Sequence, residues 1–227
     1  MKYTLIPSLL ALTMTTGLLP GVAHAQLIIS EVDPTGSSAS YGADWFELKN
    51  TGTSPLNIAG WMMDDSSDAF ATAVAIRGVT SIAAGQSVVF LEGNATGTTD
   101  ATIDANFASA WFGGNVPAGL TLGNYGGSGV GLSATADAVN IFNSSGAAQA
   151  GVTFGASTAG FTFDNKAGMS GAISQLSAVG VNGAFLSFNG AEVGSPDDVT
   201  PTPEPSTLAL GGLGLAAIGF LRRNRKA

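Results

Sequence analysis

The sequence predicts an all-β fold, a sandwich or a barrel. Three observations lead there. Short runs rich in β-branched, aromatic and other apolar residues recur between Leu27 and Phe188, each bounded by Gly, Pro, Asn, Asp or Ser. Apolar and polar positions alternate within them: Phe46 and Leu48 share one face with Asn50, whereas Trp45, Glu47 and Lys49 share the other. No stretch between Gln26 and Pro201 carries a strong helical period with caps, Ala101–Trp111 coming nearest.

In chain order, the first element is not part of the fold. Lys2 supplies a positive start, Leu5 to Leu19 an apolar run, and Ala23-His24-Ala25 a small-x-small cleavage site. Residues 1–25 therefore read as a secretory signal peptide, with the mature chain beginning at Gln26. Strands are then expected near Leu27–Val32, Trp45–Asn50, Leu56–Ile58, Trp61–Met63, Ala73–Ile76, Ser87–Leu91, Ala138–Phe142, Gln149–Phe154 and Ala184–Phe188. Turn chemistry separates them: Asp33-Pro34-Thr35-Gly36, Asn50-Thr51-Gly52, Glu92-Gly93-Asn94 and Asn143-Ser144-Ser145-Gly146. Asn182-Gly183 suits a two-residue hairpin turn, because both residues tolerate positive φ. Gly113–Gly131 is glycine-rich and reads as a long loop. On the Trp45–Asn50 strand, the Phe46 face is expected to be core and the Trp45 face amphipathic surface.

The globular part is thus residues 26–198, followed by a linker and motif at 199–207. The Thr/Pro-rich linker runs into Pro203-Glu204-Pro205-Ser206. Two prolines there keep the backbone extended and open to a processing enzyme. An apolar run over 208–221 comes next, about 21 Å long as a helix, short against a hydrocarbon core of ~30 Å. Residues 222–227 carry Arg222, Arg223, Arg225 and Lys226, which would hold that end on the cytoplasmic side of a membrane. Motif, apolar helix and basic cluster in this order resemble the PEP-CTERM sorting signal of Gram-negative bacteria. The resemblance implies an exosortase-type processing enzyme as partner and transient anchoring in the inner membrane. Release to the cell surface or extracellular matrix would follow.

Charge and missing residues exclude several functions. Between Gln26 and Glu204 there are three cations, Lys49, Arg77 and Lys166, against 16 acids, a net charge of −13. Such a surface repels phosphates, so nucleic acid is not an expected partner. The single histidine, His24, lies in the signal segment, and the chain has no cysteine. Ser-His-Asp and Cys-His catalysis, zinc sites of His and Cys, haem attachment and disulfide staples are all ruled out for the mature protein. No cofactor is expected.

The order of motifs in the globular part is similar to a known family. Leu27-Ile28-Ile29-Ser30-Glu31-Val32 leads into Asp44-Trp45-Phe46-Glu47-Leu48-Lys49-Asn50-Thr51-Gly52, then Leu56-Asn57-Ile58-Ala59-Gly60-Trp61 and Asp64. Ala138-Val139-Asn140-Ile141-Phe142 and Gly194-Ser195-Pro196 follow. This resembles the lamin-tail domain, which implies an immunoglobulin-like β-sandwich of the kind found in bacteria on secreted proteins, often joined to nucleases or other surface modules. The Ala/Gly-rich insert around Ala95–Gly131 departs from the pattern.

Few residues suggest a site. Asp64, Asp65 and Asp68 make an acidic turn that would suit a hard cation such as Ca²⁺, although the spacing matches no EF-hand; a solvated acidic turn is the competing reading. Asp197-Asp198 reads as a solubilising pair beside the linker. Glu31, Glu47 and Glu92 are the glutamates available to a carboxylate-only hydrolase, but nothing in the sequence singles out a pair. Glu31 is expected to bond backbone amides near a turn instead. Trp45, Trp61 and Trp111 could stack on sugar rings, Trp61 being the one expected to cap the core. The leading expectation is a non-catalytic exported surface or matrix protein, with exopolysaccharide as a further partner. A carbohydrate-binding module or adhesin is the alternative, and a carboxylate-based hydrolase the third reading.

Overall fold

A computed structural model describes residues 27–93 and 98–198. The signal segment, the sorting motif, the apolar run and the basic cluster lie outside the described residues.

The chain builds β1 (Leu27–Asp33), β2 (Trp45–Asn50), β3 (Leu56–Asn57), β4 (Met62–Asp64), β5 (Val74–Ala75), β6 (Ser81–Ile82) and β7 (Ser87–Gly93). Helix α1 (Asp100–Phe112) intervenes. Then come β8 (Leu122–Gly126), β9 (Asp137–Phe142), β10 (Ala148–Phe154), β11 (Phe163–Asp164), β12 (Gly171–Ile173), β13 (Phe185–Leu186) and β14 (Val193–Gly194). Two five-stranded sheets form, in the orders β11-β1-β2-β7-β8 and β12-β10-β9-β4-β5. Their inner faces meet in one apolar cluster: Leu27, Ile29, Val32, Phe46, Leu48, Val88 and Phe90 from the first sheet meet Met63, Val139, Ile141, Val152 and Phe154 from the second. This is the expected sandwich. Each of the nine expected strands is present, with ends moved by a residue or two.

The differences matter more. Ala101–Trp111 is a full helix. Thr99 Oγ1 accepts the Thr102 amide at 3.3 Å to start it, and Gly113, at φ +61°, closes it. Ile103, Phe107, Ala110 and Trp111 fall one or two turns apart and are all buried. The glycine-rich segment expected as loop contains β8, which runs parallel to β7, Phe90 facing Gly123 and Leu91 facing Asn124. A parallel pair needs a long crossover, and α1 supplies it. Asn182 and Gly183 do adopt φ +49° and +81°. The Ala184 amide closes the turn on Val181 O at 2.8 Å, but no strand pair flanks it, so the expected hairpin is absent.

The outer face of β1–β2–β7 is also not surface. A bulge at Ser30 shifts the register, so Ile29 faces Leu48 whereas Glu31 faces Glu47. Glu31 thereby joins Trp45 and Glu47 on the face away from the inter-sheet core. Helix α1 covers the upper part of that face, forming a second apolar cluster with Trp45, Val89, Leu91 and Tyr41. Trp45 stacks edge-on against Phe107 and Trp111, with ring centroids 5.8 and 6.0 Å apart. The C-terminal strap, residues 193–198, covers the rest.

Candidate functional site

Where the strap crosses β1 and β2, buried carboxylates bind it. Glu31 is fully buried. Its Oε1 accepts the Ser195 amide at 2.8 Å and the Thr162 hydroxyl at 2.5 Å, and its Oε2 accepts the Ser195 hydroxyl at 2.9 Å. Directly across the strand pair, Glu47 accepts the Ser30 hydroxyl at 2.5 Å, the Lys166 ammonium at 2.8 Å and the Asp197 amide. Lys166 also pairs with Asp198 at 2.7 Å, and Lys49 pairs with the other oxygen of Asp198. Asp197 Oδ2 accepts the Thr121 amide at 2.7 Å, tying the strap to the segment ahead of β8.

Each residue of Gly194-Ser195-Pro196-Asp197-Asp198 has a local reason. A Cβ at Gly194 would sit 2.6 Å from Glu31 Oε1 and 2.9 Å from Trp111, so no side chain fits there. Ser195 uses both its amide and its hydroxyl on Glu31. Asp197 and Asp198 take φ +62° and +51°, a left-handed turn that Asp tolerates better than most residues. The Asp198 amide closes this turn on Ser195 O at 3.2 Å, five residues before Pro203 in the sequence. Of the three cations between Gln26 and Glu204, two grip that residue.

Burial sets the electrostatics. It pushes the Glu31 carboxyl up to about 7, with the facing Glu47 adding to the effect. It pushes Asp197 up to about 8. Burial would depress Lys166, but the charges of Glu47 and Glu31 outweigh it and raise its pKa above the usual lysine value. Burial likewise opposes ionisation of Asp198, yet the hydrogen bonds from Lys166 and Lys49 win and hold its carboxyl low. A second buried acid pair lies near the β1–β2 loop. Glu192 is driven up to about 8 by burial and then by Asp33, while the Tyr41 hydroxyl donates to Glu192 at 2.8 Å.

Glu31 and Glu47 are brought together, and Glu31 does bond a turn amide. Both lie under the strap with their oxygens occupied and out of contact with solvent. Glu92 is remote from them and half-buried. The expectation that Asp197-Asp198 merely solubilises is corrected: Asp197 is buried and Asp198 is the ion-paired end of the latch. Trp45 and Trp111 are fully buried, and Trp61 is buried in the inter-sheet core, so none of the three offers a face for a sugar ring. Asp64 is buried and organises its own loop, accepting the Ser67 hydroxyl at 2.5 Å and the Ala69 amide at 2.7 Å. Asp65 accepts the Ser67 amide at 2.9 Å, and Asp68 is exposed. Among the described residues no three acids converge as a metal site. Ala23, Ala25, Gln26, Pro203, Glu204, Pro205, Ser206, Arg222, Arg223, Arg225 and Lys226 lie outside the described residues. Among the described residues, no helix is long and apolar enough to cross a membrane.

The model of the Lamin Tail Domain matches residues 21–156. The protein belongs to the lamin tail domain family. A second family model, the PEP-CTERM protein-sorting motif, matches residues 201–226 and marks this lamin tail protein for export and sorting by an exosortase. Neither family is an enzyme family. No curated protein matches the chain. The carboxylates of the latch, Glu31 and Glu47, fall within the first matched region, and its strap, residues 193–198, lies in the sequence between the two matches.

Proposed function

We propose that this is a non-catalytic surface or matrix protein. Its lamin-tail sandwich is the cargo, and its tail is the address that an exosortase reads and removes. The signal segment at 1–25 directs export. The run at 208–221 and the basic cluster at 222–227 hold the chain in the inner membrane until processing releases it to the cell exterior or an exopolysaccharide matrix.

One observation carries this reading: the PEP-CTERM sorting motif matches residues 201–226, directly beyond a latch that holds the chain up to Asp198, the last of the described residues. Five residue steps separate Asp198 from Pro203, at most about 18 Å of extended chain. Chain length alone thus keeps Pro203 within that reach of Asp198, which Lys49 and Lys166 hold. The buried, saturated carboxylates Glu31 and Glu47 favour a scaffold over a hydrolase.

The decisive experiment changes Pro203, Glu204 and Pro205 together to alanine. Export should persist while the uncut protein accumulates in the inner membrane, seen by fractionation and intact mass. If the triple variant is cut and distributed like the wild type, the tail is only an anchor and the sorting reading fails.

A further inference from the structure

The C-terminal half of α1, beside the second core, lines a shallow cleft of about 370 Å³, bounded by Ser40, Asn106, Ser109, Ala110, Phe188 and Asn189. That size lies at the small end of small-molecule sites. Phe188 is its notable member, with 64% of the residue exposed. This is not a loose surface side chain. Its amide donates to Trp111 O at 3.1 Å and the Asn189 amide donates to Ala110 O at 3.0 Å, so the last turn of α1 holds the segment in place. A Cβ at Gly113 would lie 2.8–2.9 Å from Cγ, Cδ1 and Cδ2 of the ring alike, so the ring rests over this glycine. The chain keeps a residue without a side chain, at φ +61°, at the point where the ring must lie flat.

Around the ring stand neutral hydrogen-bonding groups. Asn106 and Ser109 are exposed on successive turns of α1, and their side chains make no hydrogen bond within the described residues. The Ser40 hydroxyl accepts from the Asn189 side-chain Nδ2 at 3.3 Å and keeps its own proton free to donate. None of the six lining residues is charged. A rigid aromatic face beside amides and hydroxyls is complementary to a pyranose ring. The C–H face of the sugar carries partial positive charge and packs on the negative face of the aromatic ring, while its hydroxyls pair with the amide and hydroxyl rim. The surrounding charge selects further, because three cations against 16 acids between Gln26 and Glu204 repel uronate or sulfate polymers.

We propose that the Phe188 cleft is a binding site for a neutral glycan. The site is distinct from the buried tryptophans and independent of how the tail is processed.

Affinity electrophoresis of the full chain through dextran, galactomannan, xyloglucan and alginate tests this. At least one neutral polymer should retard the protein and alginate should not. Phe188→Ala and Asn106→Ala should each weaken that retardation about tenfold or more with an unchanged melting midpoint, and Phe188→Trp should retain it. Retardation by none of the neutral polymers, retardation unaffected by Phe188→Ala, or equal retardation by alginate overturns the site. Loss of self-association on Phe188→Ala, with no glycan effect, would make the ring a contact between copies and also overturn it.

Discussion

Lys166 and Lys49 both grip Asp198, but they do different work. Lys49 and Asp198 have side chains 29% and 31% exposed, so water and salt screen the pair. Lys166 and Glu47 are 11% and 0% exposed, so Lys166 is the counter-charge of a carboxylate that water does not reach. Lys166→Met should destabilise the fold by about 3–5 kcal/mol, because it leaves Glu47 buried without its cation. Lys49→Met should cost about 0–1 kcal/mol. Urea midpoints of the two variants check the contrast, and equal losses would deny the latch its buried core. At this scale the sequence is legible where a residue acts locally. Glu31 was readable as a partner of turn amides because a strand-end carboxylate has few other uses. Asp197 and Asp198 were not readable, since their role depends on Glu47, Lys166 and Thr121, which are distant in sequence. Trp45 was misread as surface because alternation shows which residues share a face but not what covers that face.

Among the elements, α1 has the largest unreadable consequence. Its stripe Ile103, Phe107, Ala110, Trp111 has helical spacing, but its other face is Ala, Asn and Ser rather than charge, so the amphipathic contrast is weak. What makes it a helix is tertiary: it carries the chain between two parallel strands and seals the Trp45 face. Phe107 lies at the centre, fully buried against Tyr41 and Trp45 with ring centroids 5.1 and 5.8 Å away. Phe107→Ala should therefore cost about 3–5 kcal/mol, as for a core aromatic rather than a surface one. Chemical denaturation measures it, and a loss under 1 kcal/mol would make the helix a peripheral cover. Strand positions were readable because β1, β2, β7, β9 and β10 are long and bounded by turn residues. The short β11, β12 and β14 exist only through their partners, so nothing local announces them. The same holds for the bulge at Ser30, which moves Glu31 across the sheet without leaving a sequence mark.

For the whole molecule, the folded unit extends past the family match. That match ends at residue 156, yet β11 pairs β1 with Glu31 facing Asp164, and the strap seals the sheet as far as Asp198. The unit is also strongly acidic, and several of its acids are buried with raised pKa values: Glu31 moves from 4.5 to about 7, Glu192 from 4.5 to about 8, and Asp197 from 3.8 to about 8. In each case burial is the main cause. The folded chain then holds protons that the unfolded chain has already released, so stability falls as pH rises through the interval between the two sets of values. Asp100 and Asp198 act in the opposite sense: burial resists their ionisation, but for Asp100 the Arg77 hydrogen bond is larger still, and their stabilisation is lost only as pH drops below about 4. The lamin tail domain should therefore be most stable near pH 4–5 and lose stability progressively up to pH 8, by an amount on the order of a few kcal/mol. Denaturant midpoints across that range provide the check. Asp197→Asn tolerates the left-handed backbone and keeps an acceptor for the Thr121 amide, but removes one titrating group. It should reduce the slope between pH 4 and 8 while leaving the midpoint at pH 4 nearly unchanged. A midpoint that rises toward pH 8 in the wild type, or a slope untouched by Asp197→Asn, would mean that these acids remain ionised in the fold and that Lys166 alone balances them.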